Sequence, residues 1–190
     1  MSIAEKEILV CLNVLAGGGT LLYPSDTIWG IGCDATDPLA VDKVYRLKRK
    51  IERKSLIILL DEAKKIRDYV SVVPDIAWDL LKSVDTPLTI IYPDAKNLAA
   101  NVIADDGSVA IRVVKNDFCR RLIRKFVKPI VSTSANISGH LPPRGFKDIE
   151  IEIIKGADHV VDESLDQLQQ VKASRIIKLF LNGEFRIIRH

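Results

Sequence analysis

Apolar positions recur along the chain with two alternating periods. Ile8, Leu12 and Leu15 share one face of a helix predicted over residues 4–15, which Gly17-Gly18-Gly19 stops before a strand over Thr20 to Tyr23. Asp37 and Pro38 have the identities of an N-cap and a first helical residue, and Val41, Val44 and Tyr45 continue at helical spacing as far as a basic run near residue 48. Ser55 to Leu60 is an apolar run of strand length, residues 62–70 and 75–83 read as helical, and 88–92 as extended. Strands over 108–114 and 129–133 flank a helix that Asn116 is placed to cap. A helix over about 147–155 and extended pieces near 159, 174–180 and 185–189 complete the pattern. Not every pair of strands is separated by a helix, so the expected fold is α/β with a mixed sheet. No linker or internal repeat divides the chain, and one domain over 1–190 is expected.

Composition narrows the classes. Of 190 residues, 47% are hydrophobic and 28% charged, as in globular chains, which excludes disorder and collagen. No apolar stretch approaches a membrane span, and acids stand in the N-terminal MSIAEKEILV where a secretory signal would be basic and then apolar, so a cytoplasmic location is expected. The net charge of +3 is too small for wholesale nucleic-acid wrapping but compatible with an anionic ligand. Cys11, Cys33 and Cys119 are far apart and form no C-x-x-C, which points to reduced, mostly buried thiols.

Four segments carry candidate chemistry. Tyr23-Pro24-Ser25-Asp26-Thr27-Ile28-Trp29-Gly30 breaks an apolar strand into hydroxyls and a carboxylate, as site loops do and as an ordinary Pro-Ser-Asp turn also does. In the run Lys48-Arg49-Lys50, continued by Arg53 and Lys54, helical spacing puts Lys43, Arg46 and Lys50 on the wet face but Lys48 on the stripe of Val41, Val44 and Tyr45. A lysine there either snorkels or meets an anion, while the run as a whole also fits a solvated helix end complementing the dipole. Over 108–114, Val109, Ile111 and Val113 share one strand face and Ser108, Ala110 and Arg112 the other. Arg112 then sits among small residues, with room for a carboxylate or phosphate, or for a structural salt bridge. Past Val131, an extended chain projects Ser132, Ser134 and Asn136 from one side, either as an array for a ligand or as a polar strand end entering a turn. Gly17 to Thr20 lacks the Lys of a P-loop, and His140, His159 and His190 have neither zinc-ligand spacing nor a nucleophile-elbow partner, which leaves cations and hydroxyls as the candidate groups.

Together these motifs resemble the YrdC/YciO-like family, whose active members are threonylcarbamoyl-AMP synthases. Its Tyr-Pro-Thr-Asp-Thr-x-x-Gly loop is similar to Tyr23 to Gly30, and its Lys-x-Arg element to Lys48 to Lys50. Its Gly-Thr-Val-Gly-Val-Arg strand is similar to Gly107 to Arg112, its Ser-x-Asn element to Thr133 to Gly139, its Gly-Pro-Leu-Thr strand to Pro87-Leu88-Thr89, and its closing Ser-Thr to Ser174-Arg175. Ser25 stands for the loop Thr, Lys50 for the Arg, Ile51 for the Pro that follows it, and Arg175 for the closing Thr, with Arg49 and Arg53 as neighbouring guanidiniums. The chain ends soon after Arg189, so the further C-terminal domain of longer members is expected to be missing.

The resemblance implies a YrdC-like domain over 1–190, with a twisted mixed sheet, flanking helices and a concave ligand-binding face. It implies condensation of L-threonine, bicarbonate and ATP, with Mg2+ as part of the ATP complex and no protein-ligated metal, to threonylcarbamoyl-AMP and pyrophosphate. The product would pass to a downstream threonylcarbamoyl transferase for t6A modification of tRNA, with at most weak tRNA contact and no membrane. By matched position Lys48 and Lys50 would be the catalytic cations, and Ser25, Arg112, Ser132 and Ser174 would bind threonine. Lys48, Lys50, Ser108, Ser134, Asn136 and Arg189 would bind ATP. The alternative is a non-catalytic nucleotide- or RNA-binding relative.

Overall fold

The structure is a computed structural model and describes residues 1–49, 56–166 and 173–189. The helices are α1 (Ile3–Ala16), α2 (Pro38–Leu47), α3 (Ile66–Tyr69), α4 (Asp75–Ser83), α5 (Asp117–Phe126) and α6 (Ile151–Gly156). The strands are β1 (Leu21–Pro24), β2 (Trp29–Gly32), β3 (Ile57–Leu60), β4 (Leu88–Tyr92), β5 (Val109–Val113), β6 (Ile130–Ser134), β7 (His159–Val160), β8 (Arg175–Leu179) and β9 (Phe185–Arg189). They join in one sheet of order β7-β1-β2-β6-β3-β5-β4-β8-β9. Pairs β7/β1, β3/β5 and β4/β8 are parallel and the others antiparallel, the mixed sheet that the strand spacing predicts. No helix among the described residues is long and apolar enough to cross a membrane.

Local chemistry accounts for the helix starts. Ser2 and Glu5 form a reciprocal capping box on α1. The Asp37 carboxylate accepts from the Leu39 and Ala40 amides at the start of α2, with Pro38 in the first turn, and Asn116 Oδ1 accepts from the Cys119 amide at 2.9 Å to cap α5. Two helical expectations are corrected. Residues 62–70 make a 3-10 turn over Ala63–Lys65 and then the single turn of α3. Over 147–155 the α-helix is confined to α6, because Ile149 is buried with an extended backbone (φ −74, ψ 129) that separates α6 from a 3-10 turn at Phe146–Asp148. The segment 23–30 holds more than a loop, since it turns back at 25–28 into β2.

Alternate strand residues fall into two cores. Leu22, Ile31, Ile58, Leu60, Val109, Ile111 and Val131 pack with Ala40, Val41 and Val44 of α2, Ile66 of α3, Ala77 of α4 and Ile153 of α6. Leu21, Tyr23, Leu59 and Ile130 pack on the other face with Ile8, Cys11 and Leu15 of α1 and Phe118, Leu122 and Ile123 of α5. All three cysteines are free and buried. Burial pushes the Cys11 thiol up to about 12 and raises those of Cys33 and Cys119 as well, so all stay protonated at neutral pH.

Gly32 is where this packing leaves no room. A Cβ there would lie 2.4 Å from the Val131 carbonyl oxygen and 2.7 Å from Cε1 of buried Tyr23. Gly32→Ala is expected to lower the unfolding free energy by about 1 to 3 kcal/mol through overpacking. Urea denaturation reads this directly, and an unchanged midpoint would mean that the β2/β6 pair is not so close.

Candidate active site

The helices α1 and α5 cover only part of their sheet face. Ile57, Ser132 and Ser134 on β3 and β6, Ala110 and Arg112 on β5, Ile91 on β4 and Ile176 on β8 line an open concavity of about 550 Å3. The strand registers explain the convergence, because Ile57 pairs with both Ser132 and Ala110, Ala110 with Ile91, and Gly30 with Ser134. Small residues matter here. A side chain on Gly30 would approach the Ser132 hydroxyl to 3.2 Å.

Eight sequence-predicted residues meet in this pocket: Ser25, Lys48, Arg112, Ser132, Ser134, Asn136, Ser174 and Arg189. Ser108 does not line it, which corrects the expectation that it joins the ligand array. Strand β5 begins only at Val109, and after the turn at Gly107 (φ 76) the Ser108 hydroxyl donates to Asp106 Oδ1 at 2.5 Å. Hydrogen bonds from Lys178 first, and from Ser108, hold the Asp106 carboxyl down at about 2. Lys50 and Arg53 lie outside the described residues. Arg49 does not line the pocket, since its φ of 51 turns it to an exposed pair with Glu152 at 2.7 Å.

Arg112 is nearly inaccessible, its side chain 4% exposed, and its Nη1 donates to Thr27 Oγ1 at 3.2 Å. The Ser25 hydroxyl lies 3.0 Å from Thr27 Oγ1 and donates to the Ile28 carbonyl at 2.7 Å, so the 25–28 turn and the β5 guanidinium form one connected unit. Lys48 falls on the buried stripe of α2, as its spacing predicts. Its ammonium donates to the carbonyls of Ser134 (2.5 Å) and Asn136 (2.7 Å), so it grips the end of β6 as well as facing the pocket. Asn136 donates through Nδ2 to the Ile137 and His140 carbonyls, and its buried Oδ1 has no hydrogen-bond donor among the described residues. On the far wall Arg189 donates to the Ser174 carbonyl (2.9 Å) and hydroxyl (3.2 Å), and Ser174 bonds Thr89 at 2.9 Å.

Lys48, Arg112 and Arg189 therefore present three cations, while no Asp or Glu is among the described lining residues. Partial burial, and then the positive charge of Arg112, pull the Arg189 guanidinium below its ordinary value, so the two arginines feel one another across the pocket. An anionic ligand relieves that repulsion, and hydroxyls and amides supply neutral contacts around it.

Several lining residues are not among the site residues that the sequence names: Thr27, whose hydroxyl sits between Arg112 and Ser25, Ser138 and Gly139, which end the singled-out Thr133 to Gly139 element, and Pro142 beyond it. Thr27 lies within the singled-out loop but carried no signal of its own. The wall over 138–142 is fixed by distant partners, including Glu150, which accepts from the Ile137 amide and pairs with His140. Of the described residues, potential metal ligands of mixed type come together at Glu7, Cys11 and His159, outside this pocket. There His159 Nε2 and Glu7 Oε2 lie 2.7 Å apart as an ion pair, if the His is protonated.

Comparison with known proteins places the chain. A model of the Sua5/YciO/YrdC family, described as telomere recombination, matches residues 13–190. The threonylcarbamoyl-AMP synthase of Pseudoalteromonas translucida is 29% identical over 183 residues, covering 95% of this chain and 96% of that protein. That of Hahella chejuensis is 32% identical over 160 residues, covering 84% and 87%. Among solved structures, P. abyssi Sua5 complexed with L-threonine superposes with a TM-score of 0.80 at 22% identity, over 90% of this chain and 50% of that longer one. A family match over nearly the whole sequence and a common sheet architecture lead to one conclusion: the chain belongs to the Sua5/YciO/YrdC family.

Proposed function

We propose that the chain is a threonylcarbamoyl-AMP synthase, a nucleotidyltransferase that condenses L-threonine, bicarbonate and ATP. The observation that carries this reading is the convergence of Lys48, Arg112 and Arg189 with eight hydroxyl and amide side chains in a pocket whose described lining has no carboxylate. Relatives that cover most of the chain bear that activity in their names.

In this reading Arg112 pairs with the threonine carboxylate, and Ser25, Ser132 and Ser174 surround the amino acid. Lys48, Ser134, Asn136 and Arg189, together with Lys50, attend the ATP phosphates, and Ser108 is left out. The threonine amine adds to bicarbonate with loss of water. An oxygen of the resulting carbamate attacks the α-phosphorus, and the bond from that phosphorus to the α,β-bridging oxygen breaks, so that pyrophosphate leaves with the bond's electron pair. The described residues offer no general base at the centre, so the protein's contribution is alignment of two anions and stabilisation of the charge that develops on the departing pyrophosphate. Mg2+ enters as part of the ATP complex. The product then feeds a threonylcarbamoyl transferase acting on tRNA, work done in the cytoplasm, and any direct tRNA contact is weak and electrostatic.

The test is a reaction with ATP, Mg2+, bicarbonate and labelled L-threonine. Threonine-dependent pyrophosphate release with a threonine-containing adenylate in the mass spectrum is expected. ATP binding without turnover would favour a nucleotide-binding relative instead.

A further inference from the structure

Behind Arg112 lies a carboxylate that the proposed reaction does not use. Asp26 is 7% exposed in its side chain, and its Oδ1 stands 3.3 Å from Arg112 Nε. Neither atom makes a hydrogen bond among the described residues, so the contact between them is a buried ion pair. Its other oxygen, Oδ2, accepts from the backbone amide of Lys115 at 3.2 Å, just beyond the end of β5. The Lys115 side chain in turn donates to the carbonyls of Val84 (3.0 Å) and Asp85 (2.9 Å). Asp26 is thus anchored to the same stretch of chain that carries Arg112. The guanidinium is engaged along its Nε edge by Asp26 and at Nη1 by Thr27.

A guanidinium presents donors on two usable edges, and a carboxylate bound side-on takes one edge whole. With the Nε side occupied, an incoming carboxylate is directed to the terminal nitrogens. We propose that Asp26 is a positioning residue, which fixes the rotation of Arg112 so that its terminal nitrogens receive the substrate carboxylate. This rests on the reading of Arg112 as the carboxylate ligand. The opposite role is physically possible for the same contact, because a buried carboxylate beside an arginine also competes with a second carboxylate. The two roles predict opposite signs.

The experiment is calorimetric titration of L-threonine and of L-threoninol, in which the carboxylate is replaced by an alcohol, into the parent, Asp26→Asn and Asp26→Glu proteins. Positioning predicts that Asp26→Asn loses on the order of 10- to 100-fold in threonine affinity, the scale of a misplaced contact, while threoninol affinity is little changed. Asp26→Glu keeps the charge but displaces it by a methylene, so it is expected to lose threonine affinity as well, and it answers the question should Asp26→Asn fail to fold. A gain in threonine affinity would identify Asp26 as a competitor and overturn the proposal. Unchanged affinity, or equal losses for both ligands, would overturn it too, the latter marking a merely structural role. If the parent protein binds no threonine, the underlying reading of the pocket fails and the proposal falls with it. A parent that binds threonine beside indifferent Asp26 variants refutes the positioning role alone.

Discussion

Arg112→Ala is expected to weaken L-threonine binding by about 30- to several-thousand-fold, the equivalent of about 2 to 5 kcal/mol for losing one partner of a desolvated charge pair. Three features make the effect large. The guanidinium is buried, it is held by groups on a different segment of the chain, and it sits on a strand face whose other pocket residue, Ala110, supplies no polar contact. The other guanidinium of the pocket, Arg189, is tied to Ser174 on the far wall. Arg112→Lys should recover only part of the affinity, because an ammonium keeps the charge but loses the planar pair of donors. ATP binding should change much less in both variants. Calorimetry with each ligand separately decides the matter, and intact threonine affinity in Arg112→Ala would remove Arg112 from the carboxylate site.

Lys48→Met should show a double effect. The substitution keeps an unbranched stem of similar length on the buried face of α2 and removes only the ammonium. The carbonyls of Ser134 and Asn136 then lose a charged donor in a buried setting. Stability is expected to fall by about 2 to 5 kcal/mol, since hydrogen bonds to a charged group and the desolvation of abandoned acceptors both count. Because Ser134 and Asn136 are themselves pocket residues, loosening their backbone should raise the KM for ATP even at temperatures where the variant is fully folded. Chemical denaturation reads the first effect and steady-state pyrophosphate release the second. A denaturation curve superimposable on the parent's would show that those carbonyls find other donors.

Much of this arrangement is legible in the sequence. Strand alternation placed Val109, Ile111 and Val113 on the core side of β5 and Arg112 with Ala110 on the other, and the helical period put Lys48 on a buried stripe, both as found. Such inferences depend only on backbone geometry. The misses have a common physical origin. The strand period puts Ser108 on the ligand face only if β5 starts one residue earlier than it does, because the turn before Val109 is held by a local Asp106 interaction. The β2 strand was hidden because Trp29-Gly30-Ile31-Gly32 is buried on both faces and has glycines where alternation would show. Its identity is decided by what lies opposite, Tyr23 and Val131, which no local pattern reveals. The destination of the Lys48 ammonium was equally invisible, because carbonyls near residue 135 leave no mark on the sequence around residue 48.

The contacts that build the pocket have a consequence for how it comes into being. Arg112 reaches Thr27 across 85 positions of the chain, Ser174 reaches Thr89 across 85, and Lys48 reaches Asn136 across 88. Each contact closes a long loop, so none forms early from neighbouring residues. A partly folded chain with helices and hairpins in place would have no rudimentary version of the pocket that binds weakly. Binding competence therefore requires the long-range closures of the sheet and not local structure alone. A ligand bridging these walls ties together strands that are distant in sequence, so its binding energy adds to the stability of the sheet and not of one loop alone.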